Sequence, residues 1–512
     1  MLAKAYGAAV EGIDAQLVTI ETSVTRGVGI QLVGMADAAV KESRMRVYTA
    51  LEEVGYKQPV RSVLINLSPA DLRKEGAGFD LPLAMSLMAA EGTIDGVKLQ
   101  QYLLVGELSL DGQLLPIRGA LPIAIKAREL GFKGLILPKY NAVEAAVVDR
   151  LDVHGAVSLL EVIQFFVENK QIDKVSYDTR QVFREAQGYS SLDFMDVKGQ
   201  ESVKRALEVA ASGGHNVIMV GPPGSGKSMM AKRLPTILPP LSLGESLETT
   251  KIHSVAGALK EGSALVSQRP FRAPHHTISQ VALAGGGHVP SPGELTLATN
   301  GVLFLDELPE FSRQALEVLR QPLEDRVISI ARAKWVQTYP ANFTLIAAMN
   351  PCPCGYYNHP TRECTCSPSQ VQKYLNKISG PLLDRIDIQI EITPVPFEKL
   401  SQYGAGESSV AIRDRVVQAR AIQEVRYKDY SGVYCNAQMT SQLLDKFAVL
   451  DTDCLRMLQQ AMERLNLSAR AYDRIRRMAR TIADLDASDK ITPIHMAEAI
   501  GYRNLDRDTW GQ

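Results

Sequence analysis

The chain has 512 residues, of which 46% are hydrophobic and 22% charged, with 56 Lys plus Arg against 57 Asp plus Glu. That length exceeds one ordinary domain, and those fractions exclude wholesale disorder. A net charge of -1 excludes an overall basic field, so any hold on nucleic acid must come from local loops or grooves.

The first 170 residues alternate short strands and helices, from "AQLVTIETSV" and "GIQLVGM" as strands to "DAAVKESRMRVYTALEEVG", whose helical spacing stops at a glycine. "RSVLINLSP" reads as a further strand and "DLPLAMSLMAAEG" as a helix. "LLVGELSLDGQLLPI" reads as two strands joined at Asp111-Gly112, a strong hairpin signal. Residues 171–191 are charged and without apolar period, a linker. Residues 192–395 again alternate strand and helix, which predicts a largely parallel sheet. A connector over 396–435 leads to a helical C-terminal domain over 436–512.

No apolar run approaches the length of a membrane span, and the opening "MLAKAYGAAVEGIDAQ" lacks the apolar stretch of a secretion signal. The expectation is a cytoplasmic protein without a membrane partner. Six cysteines are present, four of them within residues 352–366. In a reducing compartment such a cluster reads as a metal site rather than two disulfides.

"VGPPGSGKSMMAKRLP" carries the strongest chemical signal. Gly221-Pro222-Pro223-Gly224-Ser225-Gly226-Lys227-Ser228 fits G-x-x-x-x-G-K-[ST], after the apolar run "NVIMV" and before a helix. Backbone N–H groups of such a loop cradle anions at a helix N-terminus, and its glycines allow the close approach that side chains would block. Lys227 would reach the β- and γ-phosphates of ATP, and Ser228 would hold Mg²⁺ through its hydroxyl. Downstream, "GVLFLDELPEF" is an apolar strand ending in two acids. Asp306 would hold the Mg²⁺ with Ser228, and Glu307 would be the general base for the attacking water. "FTLIAAMNP" is the next buried strand, and Asn350 at its end would orient that water.

"CPCGYYNHPTRECTC" places Cys352, Cys354, Cys364 and Cys366 as two C-x-C pairs, a tighter form than the common C-x₂₋₄-C, around one structural Zn²⁺. His359 is a substitute ligand. "VISIARA" and "WVQTY" read as two strands with a tip near Lys334. The stretch resembles the hairpin that MCM-like ATPases point into the ring pore, and that resemblance implies that Lys334 and Arg332 contact DNA phosphates and that Trp335 stacks on a base or braces the hairpin. A second DNA-facing element is expected in residues 262–290, where His275 and His276 lack a third metal ligand.

The order of P-loop, DE box, Asn-ended strand and helical lid resembles the AAA+ ATPases. "FRAPHHTIS", "PGELTLATNGVLFLDELPEF" and "AAMNPCPCG", with "VGMADAAVKESRMRVYTAL" and "LINLSPADLRKEGAGFDLPLA", resemble the magnesium-chelatase-like ComM/YifB family across nearly the whole chain. The resemblance implies an α/β P-loop AAA+ core with a helical lid. It also implies a homo-hexameric DNA-dependent ATPase, a branch-migration helicase of natural transformation and homologous recombination. Its partners would be single-stranded and branched DNA, including recombinase-bound DNA. By similarity to the MCM helicases, "GPLLDRIDIQIE" makes Arg385 the arginine finger for the neighbouring subunit; the alternative is an intrachain pair with Asp384 or Asp387. "NLSARAYDRIRRMARTIADL" places sensor 2 at Arg470, with Arg474 in reserve.

Residues 103–160 resemble the Lon protease domain, an α+β, ribosomal-protein-S5-like fold. Gly76 stands where its serine would be and Ile123 where its lysine would be, with Lys126 one helical turn away. A base without a nucleophile hydrolyses nothing, so the resemblance implies an inactive domain that binds DNA or helps to assemble the ring; an inactive Lon-like domain attached to a DNA motor also occurs in RadA, an analogy only. The alternatives are a magnesium-chelatase motor, against which the Lon-like domain and the cysteine run speak, and an ATP-dependent protease.

Overall fold

The computed structural model describes residues 2–27, 29–34, 37–56, 62–72, 74, 76–178, 183, 191–260, 262–287, 290–332, 335–359, 361–394, 406–465 and 467–503. They form two compact units. One comprises Met1–Gln187 with Ser242–Ser267, the other Gly188–Leu241 with Gln268–Gln512.

The first unit is built on nine strands: β1 (Leu2–Glu11), β2 (Asp14–Thr25), β3 (Gly29–Val33), β4 (Ser62–Ser68), β5 (Tyr102–Leu104), β6 (Glu107–Leu108), β7 (Leu114–Leu115), β8 (Gly134–Pro138) and β9 (Asp152–Ala156). Seven of them make one sheet in the order β3-β4-β2-β1-β5-β8-β9. β1 and β2 pair antiparallel throughout their length, from Leu2 opposite Ser23 to Glu11 opposite Asp14. Apolar clusters cover the sheet. Ala3, Ala5 and Ala9 of β1 join one with helix Asp80–Ala90, while Ala8 joins another with helix Ala120–Glu129. Every residue of Asp80–Ala90 is buried, including Asp80, paired with Arg46, and Ser86, bonded to Thr22 and the Leu83 carbonyl. The expected turn at Asp111-Gly112 is present, with β6 and β7 antiparallel about it and Gly112 at φ 80°.

Ser242–Ser267 lies within the span read as ATPase core, 192–395, yet packs with the first unit. Its helix Leu243–Ala256 opens with a capping box between Ser242 and Glu245. Leu247, Ala264 and Leu265 join the cluster around Ala120, Ala124 and Ala145. The Ser254 hydroxyl donates to the buried Glu144 carboxylate, and Lys251 pairs with Asp14.

The second unit holds β10 (Val217–Val220), β11 (Phe271–Arg272), β12 (Gly285–Gly286), β13 (Ser291–Pro292), β14 (Val302–Leu305), β15 (Val327–Arg332), β16 (Trp335–Pro340), β17 (Thr344–Met349) and β18 (Ile388–Glu391). Five form a wholly parallel sheet in the order β11-β14-β17-β10-β18. β10 and β14 are buried at every position, the continuous apolar runs of a parallel sheet covered on both faces. Because β17 lies between β14 and β10, the residues that follow these three strands emerge side by side at one sheet edge, where α/β sheets bind ligands. β15 and β16 form an antiparallel hairpin, from Val327 opposite Pro340 to Arg332 opposite Trp335. From 409 onward the described residues fold into helices Ser409–Tyr427, Ser441–Phe447, Thr452–Arg464, Ala469–Leu485 and Pro493–Gly501. These share one apolar core with β10 and helix Glu201–Gly213. The first begins inside the span read as a connector.

Candidate nucleotide site

β10 runs straight into the glycine loop, and helix Lys227–Ile237 follows it. Gly221 is fixed by space: a Cβ there would lie 2.4 Å from the Ile392 carbonyl oxygen. Gly224 and Gly226 are fixed by backbone, at φ 77° and 90°. The loop leads directly into the N-terminus of that helix, the end that favours anions. Lys227 is buried, and its Nζ donates to the Gly221 carbonyl (2.7 Å), the Pro222 carbonyl (2.9 Å) and Asn350 Oδ1 (3.2 Å). Burial lowers its pKa, an effect opposed by Asp306 and Glu307. Ser225 Oγ is buried and has no hydrogen-bond partner among the described residues.

Asp306 follows β14. The Ser228 hydroxyl donates to Asp306 Oδ2 at 2.6 Å, joining two residues 78 positions apart. A hydroxyl and a carboxylate converging in this way are the hard oxygen donors that suit Mg²⁺. Glu307 takes the left-handed conformation, φ 53°, and its N–H donates to Asp306 Oδ1 at 3.0 Å. Its side chain is exposed, with His276 Nδ1 3.3 Å from Oε2. His276, considered above only as a weak metal ligand, thus faces the candidate base. The ring of His275 lies 4.1 Å from that of His276. Among the described residues, the group with the geometry to hold a metal through Cys, His or acidic side chains is Cys352, Cys354, Cys364 and Cys366, whose sulfurs all lie within 4.8 Å of one another.

Asn350 follows β17 and reaches the site through its bond to Lys227, so the three strand-end segments meet as expected. The cysteines start two residues later. Sγ of Cys352 is 3.3 Å from Cys354 and 3.7 Å from Cys364, and Cys354 is 3.5 Å from Cys364. Burial opposes ionisation of Cys354, but the N–H groups of Tyr356 and Thr365 and the neighbouring thiols lower its pKa to about 6. His359 does not join them; its Nδ1 accepts from the backbone of Thr361 and Arg362.

Arg385 is buried and engaged within its own chain, with one terminal nitrogen 2.7 Å from Glu324 Oε2 and the other donating to the Pro381 carbonyl at 2.7 Å. Its partner is therefore Glu324, not Asp384 or Asp387. Asp387 pairs instead with Arg474, the reserve sensor, which is buried. Arg470 is exposed in the first turn of helix Ala469–Leu485. Lys334 lies outside the described residues. Arg332 and Trp335 face each other in the last backbone pair of the hairpin. In the first unit Gly76 has φ 78°, Ile123 is buried, and Lys126 pairs with Glu129 at 3.3 Å.

Comparison with known proteins covers most of the chain. Residues 193–400 match the family described as Magnesium chelatase, subunit ChlI; residues 20–141 match Subunit ChlI of Mg-chelatase; and residues 406–503 match Magnesium chelatase, subunit ChlI C-terminal. The chain is 43% identical to Competence protein ComM of Haemophilus influenzae over 509 residues, 99% of this chain and 98% of that protein. It is 42% identical to the protein YifB of Salmonella typhimurium, over 99% and 98% of the two chains. A shorter match, 24% identical over 228 residues, joins 41% of this chain to 22% of DNA replication licensing factor mcm2 of Xenopus tropicalis. Among the described residues no helix is long and apolar enough to cross a membrane.

Proposed function

The chain belongs to the ComM/YifB family of magnesium-chelatase-like proteins, and from that premise we propose that it is a cytoplasmic, hexameric, ATP-driven motor on DNA, a branch-migration helicase serving recombination of transforming DNA. The observation that carries the ATPase half is the convergence of Lys227, Ser228, Asp306 and Asn350 after three neighbouring strands. The DNA half is supported by full-length likeness to a competence protein and by partial likeness to a replication licensing factor.

In this reading the orphaned Ser225 hydroxyl and the loop N–H groups take the triphosphate. Lys227 exchanges its loop carbonyls for phosphate oxygens. Ser228 and Asp306 would hold Mg²⁺, which when bound would neutralise phosphate charge. Glu307 removes the proton from water, Asn350 aims that water at the γ-phosphorus, and the bond to ADP breaks. Arg385 leaves Glu324 when a neighbouring subunit brings its own phosphate, and Arg470 serves as sensor from its exposed helix start. Such a finger is worth about 10³-fold or more in rate. Arg332, Lys334 and Trp335 form the DNA-contacting tip of the β15–β16 hairpin. Cys352, Cys354, Cys364 and Cys366 would hold Zn²⁺. Residues 1–170 are an inactive Lon-like domain.

The test is an ATPase assay with single-stranded, duplex and four-way-junction DNA, beside Glu307→Gln and Lys334→Ala. Hydrolysis should rise with DNA, vanish in Glu307→Gln, and lose its stimulation in Lys334→Ala. Hydrolysis indifferent to every DNA form would sink the motor reading.

A magnesium-chelatase-type remodelling ATPase is the second reading, favoured by the ChlI matches. The N-terminal segment, expected to speak against it, does not discriminate, since residues 20–141 themselves match a ChlI description. Capture of a large integrin-type partner would support that reading.

A further inference from the structure

We propose that the four-cysteine cluster is a clip whose Zn²⁺ sets the shape of the nucleotide cradle, so that metal occupancy governs nucleotide affinity. This rests on the zinc reading above and assigns that ion a consequence beyond local structure. A tetrahedral ion with sulfur ligands at about 2.3 Å spaces its sulfurs about 3.8 Å apart. The thiol separations of 3.3, 3.5 and 3.7 Å lie close to that spacing.

Two contacts carry the coupling. Gly355, whose N–H donates to the Cys352 carbonyl at 3.0 Å, sits against the loop: a Cβ built on it would lie 2.5 Å from Pro223 Cδ and 3.9 Å from Asn350 Cγ. At φ 86° the position also disfavours any side chain. The second contact closes a circuit. Cys366 is followed by Ser367, the N-cap of helix Pro368–Leu375, fixed by a capping box with Gln370. That helix carries Tyr374, whose hydroxyl lies near the Asn350 backbone N–H. The chain thus leaves Asn350, passes through both C-x-C arms and returns to Asn350. Lys227 is held between the two endpoints of this arrangement, by Asn350 Oδ1 and the Pro222 carbonyl. An ion that ties the arms together fixes both walls around that lysine. Without it, nothing covalent joins the arms across the cluster.

The experiment uses the full chain. Zinc is counted by elemental analysis, and affinity is read by titration with a fluorescent, non-hydrolysable ATP analogue in excess Mg²⁺. The expected result is one zinc per chain. A zinc-selective chelator should weaken analogue binding about tenfold, the scale on which small displacements act at preorganised sites, and added Zn²⁺ should restore it. Cys364→Ser/Cys366→Ser should match the stripped protein. Gly355→Ala should keep its zinc and still bind the analogue more weakly. Circular dichroism monitors folding, and if the serine variant unfolds, the reversible chelator arm decides. Absence of zinc would overturn both the zinc reading and this one. Zinc present, with affinity unchanged on stripping, would overturn the coupling alone. A zinc-loaded chain that binds no nucleotide would overturn the ATPase reading.

Discussion

Asp387 shows what single residues do in the second unit. It is fully buried, which alone would raise its pKa. The Arg474 guanidinium, His215 and the Asn216 N–H (2.9 Å) override burial and hold it far below the ordinary carboxylate range. His215 Nε2 in turn shares a hydrogen bond with the Thr481 hydroxyl at 2.8 Å, which ties the end of the sheet to helix Ala469–Leu485. Asp387→Asn leaves Arg474 buried without its counter-charge and should cost about 3 kcal/mol in denaturant unfolding. Since the folded pKa is depressed, the contribution is whole above the unfolded value and fades as pH falls through the folded one. The gap between wild type and variant should therefore be constant above about pH 5 and narrow below about pH 4. A gap that persists at low pH would refute the charge pairing. That Lys227, Ser228, Asp306 and Asn350 come together was legible in the sequence because each sits in a short motif at a strand end, with residue types and spacing that mark it locally. The pairs Arg385–Glu324 and Arg474–Asp387 were not, because partners 61 and 87 residues apart leave no local pattern. His276 was visible as a residue but not as the neighbour of Glu307, for the same reason.

At the level of elements, apolar runs marked β10, β14 and β17 well, since strands covered on both faces need little else. β1 escaped. "LAKAYGAAVE" fills its buried positions with Ala3, Ala5, Gly7, Ala8 and Ala9, too small to show as an apolar alternation. The span 242–267 escaped too, because helix periodicity tells which face is apolar but not which core receives it. The stretch that leads into it is braced by Arg269, whose Nε donates to the Pro239 carbonyl (2.6 Å) while its terminal nitrogens reach the carbonyls of Asn300 (2.7 Å) and Pro240 (3.3 Å). Arg269→Ala strips three acceptors of a charged donor and should lower stability by about 2 kcal/mol, read as a drop in urea midpoint. An unchanged midpoint would mean that the bonds are replaced by water at no cost.

For the whole molecule, the chain passes between its two units three times, at 187/188, 241/242 and 267/268. Cutting at the first passage alone should not yield a well-behaved ATPase fragment. Residues 188–512 would carry Leu247, Ala264 and Leu265 without the apolar partners they have in the first unit, and the fragment should aggregate. Replacing 242–267 with a short Gly/Ser linker should restore solubility, which sedimentation can check; a soluble fragment without that replacement would refute the assignment. The passage at 241/242 has a mechanical meaning. Helix Lys227–Ile237 carries at its first position the lysine proposed to grip phosphate, and only Leu238, Pro239, Pro240 and Leu241 separate its end from the other unit. Successive prolines make an extended, semi-rigid spacer. Two prolines in so short a link leave little slack in the chain between the end of that helix and Ser242.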